Sequence, residues 1–349
     1  RGPSRLLGRR PSATQPIMAY AEERRIALEA VEKASFLCRT VQANLVAEAS
    51  MDKRDKSPVT VADFGAQAVV THILRGAFPD LPLVGEEDAA ALRDPENHAL
   101  ASQVVAHVRD TLPGLGADEV LDLIDYGTFE GGSSGRHWTL DPIDGTKGFL
   151  RMDQYAVALA LIEDGEVVLG VLGCPNMPMG GDPGGDPDGE PGCLFIAVRG
   201  EGAFQRALSG GDEQPVRVTD INRTEAANFC ESVEAAHSSQ SDSAQVAQRL
   251  GITAEPFRID SQCKYGAVSR GDASIYLRLP TRKDYEEKIW DHAAGAIVVS
   301  EAGGKVTDVM GRDLDFSLGR TLRNNSGVIV TNGVLHDPVI AAVREVLGV

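Results

Sequence analysis

The chain is organised around residues 138–149, which read Trp-Thr-Leu-Asp-Pro-Ile-Asp-Gly-Thr-Lys-Gly-Phe. A β-strand fits the residues up to Leu140, and the proline after Asp141 disfavours helical backbone, so we expect the strand to end near Asp141. Gly145 permits a sharp turn, after which Thr146 can cap a short helix. The stretch therefore predicts a strand–turn–helix corner that carries two carboxylates, a hydroxyl and several free backbone groups.

A corner of this kind suits a metal ion and a phosphate group. Mg²⁺ favours carboxylate, carbonyl and water oxygens, and the N-terminus of a helix attracts anions. The sequence has no Gly-x-x-x-x-Gly-Lys-Ser/Thr loop, which argues against a P-loop nucleotide hydrolase. The corner by itself therefore favours a metal-dependent phosphatase site.

Composition limits the classes of function. The chain has 349 residues, of which 42% are hydrophobic and 24% charged, so it can bury a sizeable core and suggests two domains. A net charge of -17 argues against nucleic-acid binding through a basic surface. A small phosphorylated substrate remains compatible, because bound cations reverse the local potential. The sequence contains no apolar run of about 18 residues, so no membrane-spanning helix is expected.

Cysteine usage indicates a reducing compartment. The five cysteines are scattered without Cys-x-x-Cys spacing, which matches neither a zinc site nor a disulfide framework. A single regulatory disulfide remains an open alternative.

Residues 1–18 hold four arginines and no acidic residue. Such a leader is typical of an organellar transit peptide, which would place the protein in the chloroplast or mitochondrion. The alternatives are a disordered tail, or upstream sequence if Met18 is the true start. In either case we expect a cytoplasmic protein.

The pattern along residues 19–220 predicts an α+β domain that binds metal. It contains two amphipathic helices, a hairpin around an Asp164-Gly165 turn and several short strands. The predicted helices cover 20–49 and 64–75, with a further helix and loops within 89–118, and the predicted strands cover 83–84, 155–162, 167–172, 194–198 and 216–218. Gly180 to Gly192 is expected to form a loop that interrupts the sheet.

A boundary fits residues 219–225, after which strands and helices alternate. This alternation predicts an α/β domain over 221–349 that completes the substrate site. Its predicted strands cover 229–233, 257–259, 276–279 and 327–330, and its predicted helices cover 242–250, 291–302 and the C-terminus.

Three acidic segments stand out. Glu86 to Asp88 follow a short strand, Asp141 and Asp144 lie in the corner, and Asp291 precedes a helix that ends at Gly303. Each has an ordinary explanation alone, namely a solvated turn for the first and helix capping for the others. The three together indicate a common site.

The combination resembles the inositol monophosphatase superfamily of Mg²⁺-dependent, Li⁺-sensitive phosphatases. Within it, the sequence is most similar to the plant and fungal 3′(2′),5′-bisphosphate nucleotidases over about residues 20–345. The phrases that carry the similarity lie at 59–65, 131–138, 147–155, 260–266 and 287–292. The resemblance implies a layered αβαβα sandwich of the sugar-phosphatase type, with the site between two domains.

The resemblance also implies the ligands of two to three Mg²⁺ ions, with Li⁺ as an inhibitor that replaces one of them. These ligands are the side chains of Glu86, Asp141, Asp144 and Asp291, and the carbonyl oxygen of Ile143. An isoleucine can bind metal only through its backbone, which gives the tight turn after Pro142 its importance.

Two further residues are implied to act on the attacking water. Asp63 and Thr146 resemble the pair that orients and deprotonates it, although Asp63 also fits an N-cap of the helix after it. Glu87 is expected to stabilise the site without binding a metal or the substrate itself. For His137 and His292 we favour structural roles, because a metal-bound water already supplies the nucleophile.

For substrate binding, the resemblance points to residues from both halves of the chain: Thr146, His237, Asp260, Ser261, Lys264, Arg278 and Asp291. Lys264 and Arg278 are the cations expected at the phosphate that is not cleaved. His237 is expected at the adenosine. The charge run from Asp284 to Lys288 fits either a solvated turn or part of the pocket wall.

The expected reaction is removal of the 3′-phosphate of adenosine 3′,5′-bisphosphate, with 3′-phosphoadenylyl sulfate as a second substrate in sulfur metabolism. The protein is expected to be a monomer with no nucleic-acid or membrane partner. One alternative is an inositol polyphosphate 1-phosphatase. Another is a catalytically silent metal- or nucleotide-binding regulator.

Overall fold

The structure is a computed structural model that describes residues 19–49, 57–180, 192–233, 240–282 and 285–349. The arginine-rich leader, most of the predicted Gly180–Gly192 loop, His237 and Asp284 lie outside the described residues. Within the described part, no helix has the length and apolar content needed to cross a membrane.

The first part of the chain forms a seven-stranded sheet in the order β1 to β7. The β1–β2 pair is parallel and all following pairs are antiparallel. The strands are β1 Leu83–Gly85, β2 Arg136–Asp144, β3 Ala156–Glu163, β4 Glu166–Cys174, β5 Cys193–Val198, β6 Gly202–Ala207 and β7 Gln214–Pro215. The helices are α1 Ala21–Ala49, α2 Ser57–Ala77, α3 His98–Thr111, α4 Ala117–Asp125 and α5 Thr146–Leu150, with short 3₁₀ helices at Ala91–Arg93 and Pro95–Asn97.

The second part forms a five-stranded sheet in the order β11-β12-β10-β8-β9. Its strands are β8 Phe229–Glu231, β9 Phe257–Arg258, β10 Ile275–Arg278, β11 Lys305–Thr307 and β12 Val328–Thr331. A 3₁₀ helix at Thr224–Ala226 precedes it, and its helices are α6 Gln240–Arg249, α7 Cys263–Ser269, α8 Ala293–Glu301 and α9 His336–Leu347.

Three apolar clusters order these elements into five layers. The first joins α1 and α2 to one face of the large sheet, the second places α7 and α8 between the two sheets, and the third packs α6 and α9 on the outer face of the small sheet. Helix α8 approaches the large sheet closely, since a Cβ at Gly170 of β4 would lie 2.5 Å from Ile297 Cγ2 of α8. The expected αβαβα sandwich is therefore confirmed.

Most predicted elements are present, and the hairpin turn has the predicted residues. Asp164 and Gly165 have φ angles of 49° and 82°, as a tight hairpin requires. The strand predicted at 216–218 is wrong, because the pairing with β6 ends at Pro215. The strands β6, β7 and β11 and the helices α4 and α7 were not predicted. The short strands and the seven-residue α7 carry little periodicity.

Three predictions of local capping are wrong. Asp63 lies inside α2, which begins at Ser57, so it cannot cap that helix. Thr146 is the first residue of α5, where Gly145 holds the N-cap position and no side chain caps the helix. His292, rather than Asp291, occupies the N-cap position of α8. In all three cases side chains expected at helix ends line a pocket instead.

Candidate active site

The corner at residues 138–149 is a bulged strand end. β2 continues to Asp144 rather than ending near Asp141, but its register with β3 shifts between these two residues. The irregularity accommodates Pro142 and Ile143. Gly145 then has a φ of 93°, and a Cβ there would lie 2.8 Å from the Ser261 Cβ. The corner therefore requires glycine at 145 both for its backbone and for its contact with the second half of the chain.

One pocket gathers the predicted site. It lies where β1, β2 and β10 end, between α2, α5 and α7. Every predicted site residue inside the described ranges lines it: Asp63, Glu86, Asp141, Ile143, Asp144, Thr146, Asp260, Ser261, Lys264, Arg278 and Asp291. Glu87 also lines it, as the expected support role requires. His237 lies outside the described residues.

The acidic side of the pocket is a cluster of carboxylates that repel one another. Burial and then the charge of Glu86 raise the pKa of Asp141 well above its ordinary range. Glu86 faces the opening, yet loss of hydration and then Asp291 raise its pKa to about 8. Burial and Asp291 raise the pKa of Asp144 to about 6, against the opposing effect of Lys264. Such a cluster carries more negative charge than the neighbouring cations neutralise.

The donor set fits Mg²⁺. Asp141 is only 2% exposed, and its Oδ1 has no hydrogen-bond partner in the described structure. A buried carboxylate oxygen without a partner is costly, and a cation satisfies it. Oxygen donors from Glu86, Asp141, Asp144 and the Ile143 carbonyl are the ligands that a hard divalent ion prefers. The residues present therefore fit the metal centre that the resemblance implies.

Helix α2 places Asp63 in the pocket lining next to this cluster. Its side chain is 7% exposed. Burial, followed by the charges of Glu87 and Glu86, raises its pKa well above the ordinary range. A carboxylate with a raised pKa has the affinity for protons that a general base needs.

The opposite side of the pocket is cationic. Lys264 is buried, its Nζ donates to Ser232 Oγ at 3.1 Å, and it lies 5.1 Å from the Tyr276 ring centre. Arg278 forms ion pairs with Glu287 at 2.7 Å and Asp291 at 3.2 Å. Burial lowers the pKa of Lys264, while the nearby Asp144 opposes that shift. These two cations lie beside the carboxylates, since Arg278 pairs with Asp291 and Lys264 opposes the raised pKa of Asp144.

Behind Arg278 lies a buried hydrogen-bond network. Glu287, Asp291 and His292 have ligand atoms within 4.8 Å of one another, a spacing that can hold a metal. His292 Nε2 lies 3.2 Å from Glu287 Oε2, and His292 Nδ1 lies 2.7 Å from the Tyr265 hydroxyl. Since Arg278 also pairs with Glu287, these groups already have partners. The arrangement favours the structural role expected for His292.

Asp260 has partners that the sequence did not indicate. Its Oδ2 accepts from Arg151, at the end of α5, and its Oδ1 accepts from the Val233 N–H at 3.1 Å. The carboxylate thus joins the corner to the chain that leads into residues 234–239. Ser261 has a φ of 63° and its Oγ accepts from the Cys263 N–H at 3.1 Å, which orients the turn into α7.

Sequence reasoning missed several residues that line the pocket: Lys147, Ser232, Gln262 and Tyr276. Tyr285 also lines it, so the charge run that contains Tyr285 contributes to the pocket wall. The Gln262 N–H donates to Asp144 Oδ2 at 2.5 Å, a backbone contact that no side-chain pattern reveals. Arg151 lies inside a phrase that resembles the family, which was the available signal for its role.

The model of the inositol monophosphatase family matches residues 19–347. The chain belongs to the inositol monophosphatase family. It is 47% identical to the 3′(2′),5′-bisphosphate nucleotidase of Schizosaccharomyces pombe, over 94% of this chain and 97% of that protein. It is 49% identical to 3′(2′),5′-bisphosphate nucleotidase 1 of Arabidopsis thaliana, with the same two coverages of 94% and 97%.

Solved structures of the family share the fold. The inositol monophosphatase of Anabaena matches with a TM-score of 0.60 at 21% identity, over 94% of this chain and 97% of that one. SuhB of Mycobacterium tuberculosis matches with a TM-score of 0.60 at 19% identity, over 94% and 98%. At these identities the likeness shows the family fold alone.

Proposed function

We propose that the protein is a Mg²⁺-dependent phosphatase that converts adenosine 3′,5′-bisphosphate to AMP and phosphate. The observation that carries this proposal is the pocket itself, in which a carboxylate cluster faces two cations. A substrate with two phosphates fits such a pocket, because one phosphate can meet the metals while the other meets Lys264 and Arg278. The names of the relatives at 47% and 49% identity support the same substrate.

In this mechanism Glu86, Asp141, Asp144, Asp291 and the Ile143 carbonyl would hold two to three Mg²⁺ ions. Mg²⁺ bound there would supply positive charge for the phosphate oxygens and would lower the pKa of a water. The Thr146 hydroxyl orients the attacking water, and Asp63 accepts its proton. The water oxygen forms a bond to phosphorus, the bond from phosphorus to the ribose 3′-oxygen breaks, and that oxygen takes a proton from solvent.

The cationic side selects the substrate. Lys264 and Arg278 bind the 5′-phosphate, while Asp260 and Ser261 shape the wall beside it. His237 contacts the adenosine. The enzyme also acts on 3′-phosphoadenylyl sulfate as a second substrate, and both substrates belong to sulfur metabolism. Li⁺ inhibits by replacing one Mg²⁺. The enzyme acts as a monomer built from two domains, residues 19–220 and 221–349.

A phosphate-release assay with purified protein tests the proposal. Adenosine 3′,5′-bisphosphate with Mg²⁺ should release one phosphate, and AMP alone should release none. Inositol 1,4-bisphosphate is the comparison substrate, since faster turnover of it would favour the inositol polyphosphate 1-phosphatase. Absence of release from the nucleotide overturns the proposal.

A further inference from the structure

The turn that carries Glu86 and Glu87 is held by two side chains outside the predicted site. One is Gln67 from α2, and the other is Arg320 from the loop before β12. Neither lines the pocket. Both contact the backbone next to Glu86 rather than its carboxylate.

Gln67 fixes the backbone of Glu87 at both of its polar groups. Its Nε2 donates to the Glu87 carbonyl at 2.6 Å and to the Ile124 carbonyl at 2.8 Å, and its Oε1 accepts from the Glu87 N–H at 3.1 Å. Gln67 is fully buried, and it lies one helical turn after Asp63 on the same face of α2. It therefore joins the helix that carries Asp63 to the turn that carries Glu86.

Glycines make room for this side chain. A Cβ at Gly85 would lie 2.5 Å from Gln67 Oε1, and a Cβ at Gly127 would lie 2.5 Å from Gln67 Nε2. Any larger residue at either position would displace the amide. The local backbone is thus built around Gln67.

Arg320 contacts the same turn at the residue before Glu86. Its guanidinium donates to three carbonyls, those of Gly85 at 2.6 Å, Phe129 at 3.0 Å and Gly127 at 3.2 Å. Gly85 directly precedes Glu86. A planar guanidinium with several donors can hold three carbonyls at once, which an ammonium group on a flexible stem does poorly.

Arg320 also contacts the segment that leads to Asp291. Its guanidinium carbon lies 4.8 Å from the centre of the Trp290 ring, and its carbonyl accepts from the Ile289 N–H at 3.1 Å. Glu86 and Asp291 come from opposite halves of the chain. Arg320 is in contact with the residue immediately before each of them.

We propose that Gln67 and Arg320 are positioning residues that set the relative positions of Asp63, Glu86 and Asp291 and so determine the Mg²⁺ affinity. The proposal rests on the metal centre of the proposed function. Mg²⁺ needs oxygen ligands at about 2.0–2.1 Å in near-ideal octahedral geometry, so a small displacement of one carboxylate weakens binding. Residues that orient metal ligands cost about 10–100-fold in affinity or activity when they are changed.

The test measures Mg²⁺ binding by isothermal titration calorimetry on the full chain. Arg320→Lys keeps the charge but loses the planar set of donors, and Gln67→Met keeps the length but loses the amide. Each should weaken Mg²⁺ binding about tenfold or more. In assays with adenosine 3′,5′-bisphosphate, the half-saturating Mg²⁺ concentration should rise equally, while the nucleotide KM at saturating Mg²⁺ stays unchanged.

Arg323→Lys is the matched control, because Arg323 is exposed and lies three residues from Arg320. Its Mg²⁺ affinity should equal that of the unchanged protein. Melting curves in EDTA identify a variant that does not fold, and Arg320→Gln then replaces Arg320→Lys. Unchanged Mg²⁺ affinity in folded variants at both positions, or a raised nucleotide KM without a Mg²⁺ effect, overturns the inference alone. If the unchanged protein binds no Mg²⁺, the proposed metal centre fails and the inference fails with it.

Discussion

The two sides of the pocket are assembled in different ways. On the acidic side, Gly85 of β1 lies opposite Leu140 of β2, so the parallel strands deliver Glu86 and Asp141 to the same edge. On the cationic side, Lys264 comes from α7 and Arg278 from the end of β10, and each needs a partner from elsewhere in the chain. A neighbouring pair of strands therefore brings Glu86 and Asp141 together, whereas the cations depend on the packing of the small sheet.

The difference has an electrostatic counterpart. The carboxylates lie close together with raised pKa values, which a bound cation relieves. Arg278 already has two carboxylate partners and stays charged. We infer that the acidic side requires its ion, while the cationic side is organised by the protein itself.

The largest effect is expected on the acidic side. Asp144→Asn should lower kcat for adenosine 3′,5′-bisphosphate about a thousandfold, because metal stabilisation of the transition state is worth several kcal/mol. Phosphate release at saturating Mg²⁺ measures it. Asp122→Asn removes an exposed carboxylate paired with Arg93 and should leave kcat unchanged. Full turnover by Asp144→Asn would show that Asp144 does not hold a metal that the reaction requires.

A smaller effect is expected on the cationic side. Arg278→Lys should raise the KM for adenosine 3′,5′-bisphosphate about 10–100-fold, since hydrogen bonds to charged groups contribute about 1.5–3 kcal/mol. The half-saturating Mg²⁺ concentration should change much less. Initial rates over both concentrations separate the two quantities, and Arg249→Lys, at an exposed ion pair with Glu345, serves as the control. Equal losses in both quantities would contradict the division into two sides.

The pH dependence of stability should depend on the metal. Without Mg²⁺, the melting temperature should fall by several degrees as the pH rises from about 4 to 8. The folded state raises the pKa of Asp141, and it raises the pKa of Glu86 to about 8. As the pH rises, the unfolded chain therefore releases these protons before the folded state does. Proton release then favours the unfolded chain, so stability falls.

Saturating Mg²⁺ should abolish this fall, since the bound ion favours the ionised carboxylates. Scanning calorimetry in EDTA and in Mg²⁺ makes the comparison. Glu86→Gln should flatten the EDTA curve above pH 5 or so. A flat curve for the unchanged protein in EDTA would refute the repulsion argued for the acidic side.

The smallest effect concerns the link between the two sides. Asp260→Asn removes the charge that pairs with Arg151 and should raise the nucleotide KM about fivefold, equivalent to ~1 kcal/mol. Glu166→Gln breaks the exposed pair with Arg199 and should leave KM unchanged. Equal KM values in both variants would show that the Arg151 pair does not shape the substrate wall.

Much of the fold followed from periodicity and turn residues. The long amphipathic helix α1 and the Asp164-Gly165 hairpin were predictable because their signals are local and strong. The capping roles of Asp63, Thr146 and Asp291 were wrong for a shared reason. A polar residue near a helix start satisfies the capping pattern equally well when its side chain points into a pocket.

The sequence by itself determined the chemistry of the site, since the segments at Glu86, Asp144 and Asp291 place oxygen ligands at recognisable turns. Only the tertiary structure decided how these segments are held together. Gln67 and Arg320 act on backbone carbonyls far away in the chain, and carbonyls are present at every residue. No pattern of side chains can therefore indicate which of them an amide or a guanidinium will contact.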